Sequence, residues 1–182
     1  MHMKTLLERA VRIAVEAHKD QTRKGDGLPY ITHPFMVALK LAKLNFSDEV
    51  IAAALVHDVL EDTDFGEANL RAELGDEVVN MVLSVTNDDS LEWIDKKKKY
   101  VETVRAGNEG AKAVALSDKI HNLESLLIGH SEKGTSFWNN FNEGKDKKVW
   151  FELEVLKMLR ETWDHPMLDE YEQLIEKEKQ LD

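Results

Sequence analysis

Ile51-Ala52-Ala53-Ala54-Leu55-Val56-His57-Asp58-Val59-Leu60-Glu61-Asp62-Thr63 is the stretch on which the reading of this chain turns. An apolar run leads straight into His-Asp, and two more carboxylates follow within one helical turn. Read as one continuous helix, His57 and Glu61 are four apart, as are Asp58 and Asp62, so each pair shares a face. Four ionisable groups at the end of an apolar helix cost folding free energy unless a cation or a hydrogen-bond network satisfies them. A divalent metal satisfies them most simply. The plainer alternative is a solvated helix end, although acids there face the negative end of the helix dipole.

Helical periodicity extends in both directions. Leu6, Leu7, Ala10, Ile13, Ala14 and Ala17 repeat at three and four, with Thr5 as N-cap and Glu8 three residues on. A polar loop, Gln21 to Tyr30, carries Gly25, Gly27 and Pro29. Pro34 suits a first helical turn, with Thr32 or His33 as cap and helix to Leu44. Ser47-Asp48-Glu49 starts the helix that bears the His-Asp cluster. Shorter helices follow, then a charged helix from Leu91 to Arg105 and an apolar-rich one from Ala111 to Ile128. Gly129 to Gly144 reads as a polar loop with embedded aromatics Phe137, Trp138 and Phe141, and helices near 148–162 and 166–180 close the chain. No alternating run demands a sheet. The expected fold is all-α, a bundle of about eight to ten helices in a single domain spanning 1–182.

Composition narrows the function. The 182 residues suffice for one core, and no uncharged stretch could span a bilayer. Met1-His2-Met3-Lys4 leads into a helix without a signal-peptide hydrophobic region, so a cytoplasmic protein is expected, with no membrane partner. The absence of cysteine excludes disulfides, thiolate ligation and cysteine catalysis. A net charge of -11 argues against nucleic-acid binding.

His33, His57, Asp58 and Asp118 are the candidate metal ligands, drawn from three separate elements. Mixed imidazole and carboxylate ligation suits Mn²⁺, Fe²⁺ or Zn²⁺ better than Ca²⁺. His33 before Pro34 also reads as a helix cap, and Asp118 as a paired or half-exposed acid. His2, His130 and His165 read as surface residues, and His18 and His121 as core or supporting ones.

Four motifs then stand in order: His18-Lys19-Asp20-Gln21-Thr22-Arg23-Lys24-Gly25, Pro29-Tyr30-Ile31-Thr32-His33-Pro34, His57-Asp58-Val59-Leu60-Glu61-Asp62-Thr63, and Leu116-Ser117-Asp118-Lys119-Ile120-His121-Asn122-Leu123. Together they resemble the hydrolase domain of the RelA/SpoT family, a branch of the HD-domain metal phosphohydrolases. The resemblance implies an all-α HD fold and one Mn²⁺ per chain, held by His33, His57, Asp58 and Asp118. It implies hydrolysis of the guanosine alarmones ppGpp and pppGpp to GDP or GTP and pyrophosphate. The length is similar to that of the stand-alone metazoan SpoT-homologue class, without a synthetase domain.

By the same resemblance Glu61 and Asp62 orient and deprotonate the attacking water, and Arg23 and Lys24 contact the nucleotide or its phosphates. Asn122 reads as a ribose or phosphate contact, or as a residue satisfied within its own helix. Lys145 and Trp150 match the segment in which relatives hold base and phosphates, although Trp150 and Phe151 also read as core. Lys96-Lys97-Lys98-Lys99 is either a solvated helix face or a cationic rim. Two other readings keep the nucleotide partner: the same metal site acting on ppApp or on the 2′-phosphate of NADPH, and a non-catalytic alarmone sensor.

Overall fold

The computed structural model describes residues 4–24, 26–140 and 143–182, so His2, Gly25 and Phe141 lie outside the described residues. The helices are α1 (Leu6–Ala17), α2 (Thr32–Lys43), α3 (Asp48–Leu55), α4 (Val59–Asp62), α5 (Glu67–Leu74), α6 (Asp76–Val85), α7 (Trp93–Ala106), α8 (Glu109–Lys133), α9 (Gly144–Thr162) and α10 (Met167–Lys179). A 3₁₀ helix, Gly134–Asn140, joins α8 to α9. No strand occurs among the described residues. A single bridge between Thr22 and Pro29 pinches the loop between α1 and α2. The all-α architecture is the one the periodicity requires.

The expected caps at Thr5 and Ser47 hold, whereas neither Thr32 nor His33 caps α2. Thr5 Oγ1 accepts the Glu8 amide at 3.2 Å, and Ser47 Oγ accepts that of Val50 at 3.4 Å. Asn108 Oδ1 does the same for Ala111 at 2.8 Å, starting α8 directly after Gly107, which ends α7. The α8 helix is the axis of the molecule and packs against α2, α3, α6, α7 and α10. Its residues from Ala111 to Ser117 are buried without a break. Ser117 satisfies its buried hydroxyl on the Val37 carbonyl of α2 at 3.0 Å, which fixes the depth of Asp118 beside that helix.

Three boundaries differ from expectation, each for a visible reason. The His-Asp helix is not continuous: α3 stops at Leu55, and α4 is a single turn. The Val56 amide is shared between the Ala52 and Ala53 carbonyls, a tightened last turn. The Ala54 carbonyl, which a continuing helix would bond to the Asp58 amide, instead accepts His57 Nδ1–H at 2.8 Å. Second, α2 begins at Thr32, so His33 lies inside the first turn and its ring is not used as a cap. Third, α8 runs through Gly129 to Lys133. A Cβ at Gly129 would lie 2.2 Å from the Phe137 ring, so glycine here admits the 3₁₀ helix against α8 rather than ending it.

Candidate metal centre and cavity

The break after Leu55 aims His57 and Asp58 at one point, and two other helices supply the rest. His57 and His33 are buried at 4% and 3% exposure. His33 Nε2 lies 3.0 Å from Asp118 Oδ1 and 3.6 Å from Asp58 Oδ2. His57 Nε2 lies 3.2 Å from Asp58 Oδ2 and 3.7 Å from Asp118 Oδ1. Ligating atoms of His33, His57 and Asp58 fall within 4.8 Å of one another. The residues fit a divalent cation on a physical test. His57 Nε2 is buried and makes no hydrogen bond, although two carboxylates stand beside it. Its Nδ1–H is on Ala54, so Nε2 faces those carboxylates, an arrangement that a shared cation satisfies.

The field at this point favours positive charge. Burial alone would suppress an imidazolium at His57, but Asp58 and Asp118 outweigh it and lift its pKa to about 9. For Asp118, burial opposes ionisation, yet Lys119 and the two histidines hold the carboxyl well below its ordinary range. Lys119 Nζ lies 3.2 Å from Asp118 Oδ2, and the carboxylates keep its charge despite burial.

Each candidate ligand is steadied from outside. Tyr30 donates its hydroxyl to Asp58 Oδ2 at 2.7 Å. His33 Nδ1 and His121 Nδ1 are 2.7 Å apart, and His121 stays neutral because burial and His33 lower its pKa to about 4. With His33 as donor, its Nε2 lone pair is left for a metal. Asn122 donates to Asp118 Oδ1 at 2.6 Å, so its amide serves the acid one turn back on α8. Tyr30 stood in a motif without a role; nothing in its spacing shows that the pinched loop turns it toward Asp58. Replacing Tyr30 by Phe is expected to keep the fold and to weaken Mn²⁺ binding about 10–100-fold, read by metal titration. Unchanged affinity would mean that the hydroxyl does not hold Asp58.

Glu61 and Asp62 sit differently. Glu61 accepts the Asn87 amide at 2.8 Å and the Asn87 side chain at 3.1 Å on both oxygens. Asp62 is raised above the usual carboxylate range by burial and by Asp58. Both line a cleft of about 170 Å³ over the cluster, together with Tyr30, Asn87, Tyr100 and Lys119. That cleft opens into a cavity of about 1110 Å³, beyond the roughly 300–1000 Å³ of common small-molecule sites.

Arg23, Lys24, Asn122, Lys97 and Lys148 line the larger cavity with Trp93, Phe137 and Phe151. The lysine run is therefore split: Lys96 pairs with Asp89, whereas Lys97 turns inward. Two expected contacts are corrected. Lys145 donates to the Lys179 and Leu181 carbonyls and does not line the cavity. Trp150 is half-buried behind the wall, 6.0 Å from Trp93, and supports that ring instead. On α9 the cavity face is formed by Lys148, Phe151 and Glu152, whereas Lys145, one turn earlier, reaches past the cavity to the C-terminal carbonyls. His130 is also not a surface residue: it is buried beneath Trp138 and the Asp182 carbonyl. His165 is half-buried between Phe46 and Trp163. No described helix is long and apolar enough to cross a membrane.

Comparison with known proteins follows this geometry. Residues 10–136 match the HD domain family. Over 130 residues the chain is 37% identical to a protein of Aquifex aeolicus named guanosine-3′,5′-bis(diphosphate) 3′-pyrophosphohydrolase, covering 70% of this chain and 18% of that one. The chain thus spans under a fifth of that relative's length. It is 40% identical over 124 residues to the MESH1 protein of Mus musculus, which bears the same enzyme name, covering 66% of this chain and 69% of the relative. A solved structure described as a metazoan orthologue of SpoT that hydrolyses ppGpp superposes with a TM-score of 0.81 at 26% identity, over 97% of both chains. The chain belongs to the HD domain family, in the branch it shares with the MESH1 proteins.

Proposed function

We propose that this protein is a Mn²⁺-dependent hydrolase that releases pyrophosphate from the 3′ position of ppGpp and pppGpp. One observation carries the reading. Two imidazole nitrogens and two carboxylates converge beneath a nucleotide-sized cavity that gathers cations within a strongly acidic chain. The names borne by its relatives supply the substrate class.

His33, His57, Asp58 and Asp118 would hold one Mn²⁺. When bound, the ion supplies Lewis-acid chemistry and makes water a competent nucleophile near neutral pH. The chain's own residues do the rest. Asp62, a carboxyl that binds a proton more readily than usual, takes the proton of the attacking water. Glu61 stays anchored by Asn87 and orients that water. The new bond forms at the phosphorus next to the 3′ oxygen. The bond to that oxygen breaks, and the oxygen departs as hydroxyl with the proton that Asp62 gained. Arg23 and Lys24 face the distal phosphates, and Trp93, Phe137 and Phe151 offer apolar surface to the base and ribose. All 182 residues act as one HD domain in this reading, and the protein works in the cytoplasm.

The test is a turnover panel with Mn²⁺ and a metal-stripped control, using ppGpp, pppGpp, ppApp and NADPH separately. Pyrophosphate from ppGpp that vanishes on stripping is the expected result. Phosphate from NADPH alone, or pyrophosphate from ppApp alone, would overturn the substrate. Metal binding without turnover of any of them would favour a sensor.

A further inference from the structure

Lys97 differs from several other lysines of this acidic protein. Lys40, Lys96, Lys147 and Lys148 each reach a carboxylate at hydrogen-bond distance. Lys97 is half-buried on the cavity wall, and its ammonium pairs with no carboxylate of the described residues. It donates to Asn87 Oδ1 at 3.2 Å and lies 4.8 Å from the Phe151 ring centroid. Lys119 approaches the same ring at 5.0 Å, so two cations share one aromatic and one corner of the cavity. Burial and the charge of Lys119 lower the Lys97 pKa to about 8. A desolvated ammonium beside a like charge is a site short of an anion.

The position of that corner identifies the anion. Lys119 Nζ touches Asp118 at 3.2 Å, and Asn87 links Lys97 to Glu61. This corner therefore adjoins the reacting centre. The other cationic end is remote: Arg23 is anchored on Ser125 at 3.2 Å, seven residues beyond Asp118 on α8, or about 10 Å along the helix. A guanosine bis(diphosphate) presents one diphosphate at the scissile ester and a second across the ribose. We propose that Lys97, with Lys119 beside it, is the subsite for the 3′-diphosphate and for the pyrophosphate it becomes, leaving the 5′-diphosphate to the Arg23 end. The subsite deepens the hydrolase reading and rests on it for the identity of the anion.

The experiment compares wild-type, Lys97→Met and Lys97→Arg proteins, since Met keeps the apolar stem against Phe151 and Arg keeps the charge. Inorganic pyrophosphate and GDP are titrated separately into metal-loaded protein at constant free Mn²⁺, with ppGpp turnover of the wild type measured alongside. Lys97→Met is expected to weaken pyrophosphate binding about 10–100-fold, the loss of one charge-assisted hydrogen bond. It should leave GDP binding and the melting temperature unchanged, and Lys97→Arg should restore most of the pyrophosphate affinity. Pyrophosphate affinity that is unaffected, absent in the wild type, or lost in step with GDP would overturn the subsite. A loss confined to GDP would overturn it too, by moving Lys97 to the 5′-diphosphate. Wild-type protein that binds pyrophosphate through Lys97 yet leaves ppGpp intact would sink the hydrolase reading alone.

Discussion

Asp118→Ala is expected to yield protein without bound Mn²⁺ and without turnover, and also with a lower melting temperature before any metal is added. The first effect follows from its place between His33 Nε2 at 3.0 Å and His57 Nε2 at 3.7 Å. Losing a ligand should exceed the roughly 10–100-fold that loss of an outer partner costs. The second follows from Lys119, whose buried ammonium has Asp118 as its ion-pair partner at 3.2 Å. Breaking such a pair by removing one member costs about 3 kcal/mol. Asp58→Ala makes the contrast. No lysine depends on Asp58, and its hydrogen-bond donor is the neutral Tyr30. That variant should lose metal and turnover equally, while its metal-free melting temperature falls less than that of Asp118→Ala. Metal content by elemental analysis and thermal melts of the stripped proteins decide the matter. Stoichiometric metal in Asp118→Ala would remove Asp118 from the ligand set.

Glu61→Gln should bind metal normally and turn over on the order of 10²-fold more slowly, or worse. The geometry gives the reason. Glu61 uses both oxygens on Asn87, whose own side-chain oxygen accepts from Lys97. A glutamine can still accept the Asn87 amide, but its NH₂ then faces the Asn87 NH₂. Turning the Asn87 amide over relieves that clash only by pointing a donor at Lys97. One substitution therefore disturbs the proposed orienting acid and the cation behind it, while the four candidate ligands stay untouched. Single-turnover rates at saturating substrate isolate the chemical step. A wild-type rate would show that Glu61 does not orient the water.

Much of this was legible in the chain. The 3.6-residue periodicity requires helices wherever it is strong, and Thr5 and Ser47 mark starts by short-range hydrogen bonds that need no tertiary context. His57 and Asp58 could be singled out because titratable groups amid apolar runs are costly unless they share a partner, and the family resemblance joined His33 and Asp118 to them. What the chain could not disclose is direction. An apolar run into His57 reads as one helix, and its break after Leu55 is a matter of which donor takes the Ala54 carbonyl. Lys145 and Lys148 are near neighbours of the same charge on α9. The partners that tertiary packing leaves in reach send the first to the C-terminal carbonyls and the second to Glu152 at the cavity wall.

Sequence by itself determined the helical class, the caps at Thr5 and Ser47, the exclusion of cysteine chemistry and which residues are candidates to bind a metal. Those properties depend on local conformational preference and side-chain chemistry, which travel with the chain. Tertiary structure alone decided that α2, α8 and the turn after α3 bring each of the two histidines within 4 Å of both carboxylates, and that Tyr30, His121 and Asn122 brace them. It also decided which lysine of a run of four turns inward. Those outcomes are set by packing between elements far apart in sequence, where the geometry of buried surfaces chooses among contacts that every local rule permits.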